Sequence, residues 1–253
     1  MPFSNKETNI KIYEGDNLKI LSGLPDQSFD LIYIDPPFNT GKRQVREDLS
    51  YEDRFEDFIE GFLGPRIKEA YRLLSSTGSF FLHLDYREVH YAKVYTDSIF
   101  GRDSFMNEII WSYDYGGRSK SKWPAKHDTI LWYAKDSKNY TFNYAAMDRL
   151  PYMAPGLVGP EKAARGKTPT DVWWQTIVPT NGTEKTGYPT QKPRAILERI
   201  IKIHSNPGDK ILDFFAGSGT TGEAAAIHGR DCVLIDSNPE AIAVIKERLK
   251  IWI

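Results

Sequence analysis

The chain has 253 residues, which is enough for one large α/β domain or two small ones, and we expect one domain with an insert. The net charge of −1 argues against a general polyanion-binding protein. There is no apolar run long enough to cross a bilayer and no signal segment, so we expect a cytoplasmic protein. The single cysteine, Cys232, excludes an intrachain disulfide and a Cys/His zinc site, and we expect no metal.

Short apolar runs alternate with helical patterns, which is typical of a mostly parallel sheet with helices on both faces. Seven strands are predicted, at residues 10–14, 29–35, 79–85, 105–113, 129–134, 210–214 and 231–236. Five helices are predicted, at residues 55–74, 87–100, 194–204, 220–228 and 239–249. The first helix contains Gly61 and Gly64-Pro65, so we expect it to be kinked or divided in two.

Aspartates recur at the ends of the predicted strands, at Asp16, Asp35, Asp85, Asp213 and Asp236. In a parallel sheet the carboxyl ends of the strands share one edge, and open α/β sheets bind their ligands there. Any one of these acids is equally well explained as a helix cap or turn residue. The whole set favours a binding site.

The segment at residues 211–229 reads ILDFFAGSGTTGEAAAIHG, a strand followed by a glycine-rich turn and a helix. Three of its glycines have the G-x-G-x-x-G spacing, which lets a ligand approach the backbone and points helix N–H groups at an anion. Asp236 ends the next strand, where an acid accepts hydrogen bonds from ribose hydroxyls. Asp213 would repel the pyrophosphate of a dinucleotide but could accept hydrogen bonds from an α-ammonium group. S-adenosyl-L-methionine is therefore favoured over a nicotinamide dinucleotide.

Three motifs together resemble the amino-methyltransferases of bacterial restriction–modification systems: D-P-P-F at 35–38, Y-P-T-Q-K-P at 188–193 and D-F-F-A-G-S-G-T-T at 213–221. Their order is similar to that of the permuted β group, in which the catalytic motif precedes the cofactor loop. The resemblance covers nearly the whole chain. It implies a circularly permuted, Rossmann-like sheet of seven strands and an enzyme that depends on S-adenosyl-L-methionine.

The resemblance also implies how the chain is divided. Residues 1–111 would be the catalytic half of the methyltransferase domain, and residues 188–253 its cofactor-binding half. Residues 112–187 would hold the last sheet strand and a target-recognition insert. The expected partner is double-stranded DNA, with a homodimer and a separately acting cognate restriction endonuclease as further possibilities.

The predicted catalytic residues are Asp35, Pro36, Pro37 and Phe38. An exocyclic amine is a weak nucleophile because its lone pair is delocalised into the ring. The Asp35 carboxylate and the Pro36 carbonyl could each accept one N–H and so direct the lone pair at the methyl group, while Phe38 stacks on a flipped-out base. In the resembled family an aspartate at the first motif position usually accompanies adenine N6, so we expect adenine. Cytosine N4, an RNA substrate and a nicotinamide-dependent oxidoreductase remain alternatives.

The same resemblance assigns the cofactor contacts. The Asp213 carboxylate would bind the ammonium, Asp236 the ribose, Asp16 the adenine amino group, and Thr190 with Lys192 the carboxylate. Lys192 is also explicable as an ordinary exposed lysine before Pro193. The complete predicted set is Asp16, Asp35, Thr190, Lys192, Asp213, Phe214, Ala216, Gly217, Ser218, Gly219, Thr220 and Asp236.

Basic residues concentrate between Ser112 and Asp171, where ten Lys and Arg stand against six acids, so this segment carries +4 and the rest of the chain −5. Such a segment is expected to contact phosphates through loops, although a solvated basic loop is the alternative. A long mobile loop is expected after the catalytic motif. The predicted DNA contacts are Lys42, Arg43, Arg46, Arg118, Lys120, Lys122 and Lys126.

Overall fold

The structure, a computed structural model, describes residues 8–46, 49–179 and 181–253. Its strands are β1 (Ile10–Glu14), β2 (Phe29–Ile34), β3 (Lys42–Arg46), β4 (Leu49–Asp53), β5 (Leu74–Leu84), β6 (Phe105–Ser112), β7 (His127–Ala134), β8 (Val172–Trp174), β9 (Lys210–Asp213) and β10 (Asp231–Asp236). Its α-helices are α1 (Asn17–Ser22), α2 (Gly64–Leu73), α3 (Val89–Phe100), α4 (Pro160–Arg165), α5 (Arg194–His204), α6 (Thr220–Ile227) and α7 (Pro239–Leu249).

One sheet of eight strands, in the order β1-β10-β9-β2-β5-β7-β6-β8, forms the centre of the molecule. Strands β1, β10, β9, β2 and β5 are mutually parallel, β7 is antiparallel to its neighbours β5 and β6, and β8 is parallel to β6. Only β7 therefore runs against the others. The carboxyl ends of β1, β10, β9, β2, β5 and β6 meet at one edge of the sheet, and we call this edge the catalytic rim.

The core lies in two layers, one on each face of the sheet, because alternate residues of a strand point to opposite faces. In β2, Ile32 and Ile34 belong to the layer covered by α2 and α3, whereas Leu31 and Tyr33 belong to the layer covered by α5, α6 and α7. Strand β2 is buried on both faces, which explains why its sequence is almost continuously apolar. The predicted α/β fold with helices on both faces is confirmed.

All seven predicted strands are present, and β9 pairs directly with β2, which brings the strand before the glycine-rich turn next to the strand before D-P-P-F. The predicted number of strands in this sheet was one too low, because β8 has only three residues and its sequence shows no strand period. The helix expected at residues 55–74 is divided, as Gly61 and Gly64-Pro65 indicated. A π-helical segment, Phe58–Leu63, precedes α2, and β5 already begins at Leu74.

Where a long mobile loop is expected after the catalytic motif, the backbone instead forms β3 and β4, which pair as an antiparallel two-stranded sheet. The register places Lys42 opposite Asp53 and Arg43 opposite Glu52. The pairing depends on matching two segments, so it is not evident from either one alone.

Within the described ranges, no helix is long and apolar enough to cross a membrane. The same residues contain no group of three or more His, Cys, Asp or Glu that could hold a metal ion. Cys232 is buried inside β10, and burial raises the pKa of its thiol.

Candidate active site

A cavity of about 480 Å³ opens at the catalytic rim, and four of the five predicted strand-end aspartates line it. These are Asp16, Asp35, Asp213 and Asp236, which follow or end strands β1, β2, β9 and β10. Asp85 lies at the same rim but does not line the cavity. Its side chain pairs with Arg87 and accepts a hydrogen bond from the Arg87 backbone.

The glycine-rich turn between β9 and α6 forms one wall of the cavity. Gly217 and Gly219 have φ angles of +51° and +75°, which side-chain-bearing residues rarely adopt. A Cβ atom at Gly219 would also lie 3.1 Å from Ile245. The turn is pinned to the next strand, since the Gly217 N–H donates to Asp236 Oδ2 at 2.8 Å. A ligand can therefore approach the backbone here closely.

Asp213 is almost completely buried, with 2% of its surface exposed. Its Oδ1 accepts from the Phe215 N–H at 3.0 Å, and its Oδ2 accepts from the Thr221 hydroxyl at 2.5 Å. Burial raises the pKa of this carboxyl to about 7, and the nearby Asp35 and Asp236 add to the effect against the opposing hydrogen bonds. A cationic ligand group in the cavity would favour its ionised form.

Backbone N–H groups also donate hydrogen bonds to Asp236 and Asp16. Asp236 Oδ1 accepts from the Asn238 N–H at 2.9 Å, and burial is the main cause of its raised pKa. Asp16 caps α1 through a 2.9 Å hydrogen bond from the Leu18 N–H. Arg66 lies 3.7 Å from Asp16, stacks on Phe62 at 4.1 Å and donates to Asn17 Oδ1 at 2.7 Å.

The D-P-P-F segment leaves β2 at the rim and places Asp35 in the cavity wall. Lys192 Nζ lies 2.5 Å from Asp35 Oδ2, and both side chains are largely buried, at 11% and 16% exposure. Asp35 Oδ1 is buried and, within the described part of the chain, has no hydrogen-bond partner. Because an unpaired buried acceptor is unfavourable, this oxygen is suited to receive an N–H from a bound group.

A buried chain of hydrogen bonds lies beneath this segment. The Tyr33 hydroxyl is 2.7 Å from His83 Nδ1, and His83 Nε2 is 3.2 Å from Asp128 Oδ2. Burial is the largest influence on Asp128 and would raise its pKa, but His83, Lys192 and the Tyr113 hydrogen bond together lower it. The His83 ring also contacts the Phe38 ring, with centroids 5.9 Å apart. Strands β2, β5 and β7 are thus tied together directly under the D-P-P-F segment.

All the predicted cofactor residues except Gly219 line one cavity. Gly219 belongs to the glycine-rich turn but does not itself line the cavity. Asp35 and Pro37 of the predicted catalytic residues line the cavity, whereas Pro36 and Phe38 lie beside it. Phe38 contacts Lys192, whose Nζ is 4.8 Å from the ring centroid. The lining residues that sequence reasoning missed are Asn17, Tyr33, Phe55, Phe62, Arg66, Tyr188, Leu197, Phe215, Thr221, Ser237 and Asn238. Of these residues, Tyr188 could have been predicted from the sequence, because it is the first residue of the Y-P-T-Q-K-P motif.

The predicted DNA-contacting cations fall into two groups. Lys42, Arg43 and Arg46 belong to the backbone of β3, and their side chains lie outside what the structure describes. The other four lie in the loop between β6 and β7. Two of them have partners there.

In that loop, Arg118 pairs with Asp114 at 2.7 Å, although both side chains are well exposed. Lys126 Nζ donates to the carbonyl oxygens of Tyr115 and Gly117 at 2.5 and 2.8 Å. Lys120 and Lys122 are exposed. Lys126 therefore shapes the loop, and Lys120 and Lys122 are the better placed to meet phosphate.

The comparisons with known proteins agree with this geometry. A profile of the family described as DNA methylase, covering N6 and N4 amino-methyltransferases, matches residues 29–247. DNA adenine methyltransferase YhdJ of Escherichia coli (strain K12) is 34% identical over 95% of this chain and 82% of its own length. The type II methyltransferase M.HpaI of Haemophilus parainfluenzae is 33% identical over 92% of this chain and 71% of its own length.

Solved structures show the same fold. The PvuII DNA methyltransferase, which is cytosine-N4-specific, superimposes with a TM-score of 0.72 at 19% identity, over 95% of this chain and 86% of its own. The complex of M1.HpyAVI with SAM superimposes with a TM-score of 0.65 at 25% identity, over 95% and 98% of the two chains. The family profile spans most of the chain, and the E. coli relative is 34% identical over most of both chains, so the chain belongs to the N6/N4 family of DNA methylases.

Proposed function

We propose that the chain transfers the methyl group of S-adenosyl-L-methionine to the N6 amino group of a flipped-out adenine in double-stranded DNA. The observation that carries this proposal is the position of Asp35. Its carboxylate stands in the wall of the same cavity that the glycine-rich turn, Asp213 and Asp236 form. Methyl acceptor and methyl donor could therefore meet at one place.

The cavity suits S-adenosyl-L-methionine in charge as well as shape. Four acids line it. Asp35 pairs with Lys192 and Asp16 lies near Arg66, which leaves Asp213 and Asp236 to favour a positively charged ammonium and sulfonium and to oppose the pyrophosphate of a dinucleotide. When bound, the cofactor supplies an electrophilic methyl group on a positively charged sulfur. Asp213 is placed for the ammonium and Asp236 for the ribose hydroxyls. Thr190 and the amino end of α6 are placed for the carboxylate, whereas Lys192, which was also predicted to bind it, pairs with Asp35.

The chain's own residues would prepare the adenine. Asp35 Oδ1, which has no hydrogen-bond partner among the residues that the structure describes, accepts one N–H of the amino group, and the Pro36 carbonyl accepts the other. The two acceptors direct the nitrogen lone pair towards the cofactor. Phe38 offers a ring face to the base, and its contact with His83 holds that ring in place. Lys192 keeps the second Asp35 oxygen oriented.

Two observations support adenine as the base. The first motif position is Asp35, which in the resembled family usually accompanies adenine, and the E. coli relative is named as a DNA adenine methyltransferase. Residues 112–187 are proposed as the part that recognises the target sequence, between the catalytic half at 1–111 and the cofactor half at 188–253. A homodimer and a separate cognate endonuclease stay predictions. Light scattering at active concentrations tests the first.

The experiment compares DNA from cells expressing the wild-type chain, Asp35→Ala or the control Asp136→Ala, which removes an exposed acid. Modification-sensitive sequencing should find N6-methyladenine in one short motif with wild type and control only. Because Asp35 also belongs to the predicted cofactor contacts, calorimetry should show that purified Asp35→Ala binds S-adenosyl-L-methionine more weakly than wild type but measurably. N4-methylcytosine in the motif would instead identify cytosine as the methylated base. No mark from any chain, with cofactor binding intact, would contradict a DNA substrate.

A further inference from the structure

The loop between β6 and β7, residues 113–126, extends from the same rim as the active site. Strand β6 ends at this rim because it runs parallel to β5 and β2, with β7 reversed between β5 and β6. Neighbouring strands lie about 4.8 Å apart, so the end of β6 is roughly 14 Å from the end of β2. The loop therefore stands beside the place where Asp35 would receive its base.

Trp123 in this loop is exposed over 95% of its surface. By contrast, Trp111, Trp132 and Trp173 are buried, at 2%, 5% and 8%. Tryptophan has a large apolar surface, and leaving it in water is unfavourable compared with burying it. A tryptophan that the fold leaves entirely outside points to a partner that covers it.

The loop presents Trp123 in a defined way. The Lys126 ammonium holds the carbonyls of Tyr115 and Gly117 together across the base of the loop. The Ser119 hydroxyl accepts hydrogen bonds from the N–H groups of Ser121 and Lys122, at 3.2 and 3.3 Å, which forms a turn directly before the tryptophan.

Pro124 follows Trp123 and restricts its backbone to extended conformations. Less ordering entropy is therefore lost when the tryptophan is inserted into a partner.

The charge around Trp123 indicates the chemistry of that partner. Between Asp114 and Asp128 the loop contains no acidic residue, and Lys120 and Lys122 are exposed next to the tryptophan. Lysines beside an aromatic ring match the two surfaces of a nucleic acid, phosphates outside and flat bases inside. The position on the catalytic rim favours the DNA that carries the target base.

We propose that Trp123 enters the duplex when the target adenine leaves it and stacks on the neighbouring bases in the vacated space. Extrusion of a base breaks its stacking contacts, and an inserted aromatic side chain replaces part of them. Trp123 would thus stabilise the flipped state without touching the reacting atoms. This inference rests on the proposed function, since it requires a target base in a duplex.

The test uses two duplexes that carry the motif mapped with the wild-type enzyme, one fully paired and one with an abasic site opposite the target adenine. Flipping is easier from the second duplex because the adenine has no pairing partner. Trp123→Ala should lower kcat/KM on the paired duplex roughly ten- to hundredfold, the range expected for losing one aromatic stack. On the abasic duplex the kcat/KM of Trp123→Ala should lie within a few-fold of the wild-type value. Trp123→Phe should retain most of the activity on both duplexes.

Two controls separate this role from others. Lys122→Ala, in the same loop, should weaken the binding of both duplexes alike, and this loss should become smaller at higher salt because a phosphate contact is screened there. Ile251→Ala removes an exposed apolar residue just beyond the carboxyl end of α7, away from the rim, and should change activity on neither duplex.

Unchanged activity of Trp123→Ala on the paired duplex, or an equal loss on both duplexes, would overturn the proposal. So would a fall in molecular mass in Trp123→Ala, which would assign the residue to an interface between copies. If the wild-type enzyme methylates neither duplex, the proposed function itself has failed.

Discussion

Asp213 makes the stability of this protein depend on pH in a way that a single substitution can expose. Burial raises the pKa of its carboxyl to about 7, against 3.8 for the group in its ordinary state. An acid whose pKa is higher in the folded chain holds its proton more tightly there. Its stabilising contribution is complete below pH 4 and is lost as the pH rises from about 4 to about 7.

The magnitude follows from this shift. One pKa unit corresponds to about 1.4 kcal/mol, so the ionised buried acid lowers the free energy of unfolding by about 4 kcal/mol at pH 8 and by about 2 kcal/mol at pH 5. Asp213→Asn removes the titrating group, while its side chain can still accept from the Phe215 N–H. Between pH 5 and pH 8 the stability of the variant relative to wild type should therefore rise by about 2 kcal/mol.

The assay is urea unfolding of both proteins without cofactor at several pH values from 5 to 8.5. Asp136→Asn, which alters an exposed acid, should follow wild type throughout. In parallel, calorimetry should find weaker binding of S-adenosyl-L-methionine by Asp213→Asn. A stability difference that stays constant across this pH range would refute the reasoning about Asp213.

Two further predictions concern the packing around the site. His83→Phe keeps a ring against Phe38 but removes the hydrogen bonds to Tyr33 and Asp128, so it should lower the free energy of unfolding in urea by about 2–4 kcal/mol. Unchanged stability would contradict a role for this chain of hydrogen bonds. Gly222→Ala would place a methyl group 2.6 Å from Leu234 Cδ1 and should lower stability by about 1–3 kcal/mol, whereas Gly117→Ala meets open space and should be neutral by the same measurement.

Much of the fold could be predicted from local patterns. The strands of the parallel sheet are buried on both faces, so their sequences are continuous apolar runs that stand out between helical patterns. The glycine-rich turn could be predicted as well, because backbone conformations with positive φ at Gly217 and Gly219 restrict the residue type directly. The aspartates at strand ends followed from sheet geometry, and four of them do meet in one cavity.

The sequence by itself thus determined the class of fold, the order of the motifs and the edge of the sheet where chemistry takes place, because each of these depends on local backbone and burial preferences. The tertiary structure decided which side chains meet. Lys192 pairs with Asp35 across 157 positions, and Arg66 reaches Asp16 from a helix without any motif. It also decided that Trp123 stays outside the core while Trp111, Trp132 and Trp173 are buried. Such contacts depend on how distant segments pack, and no local pattern encodes them.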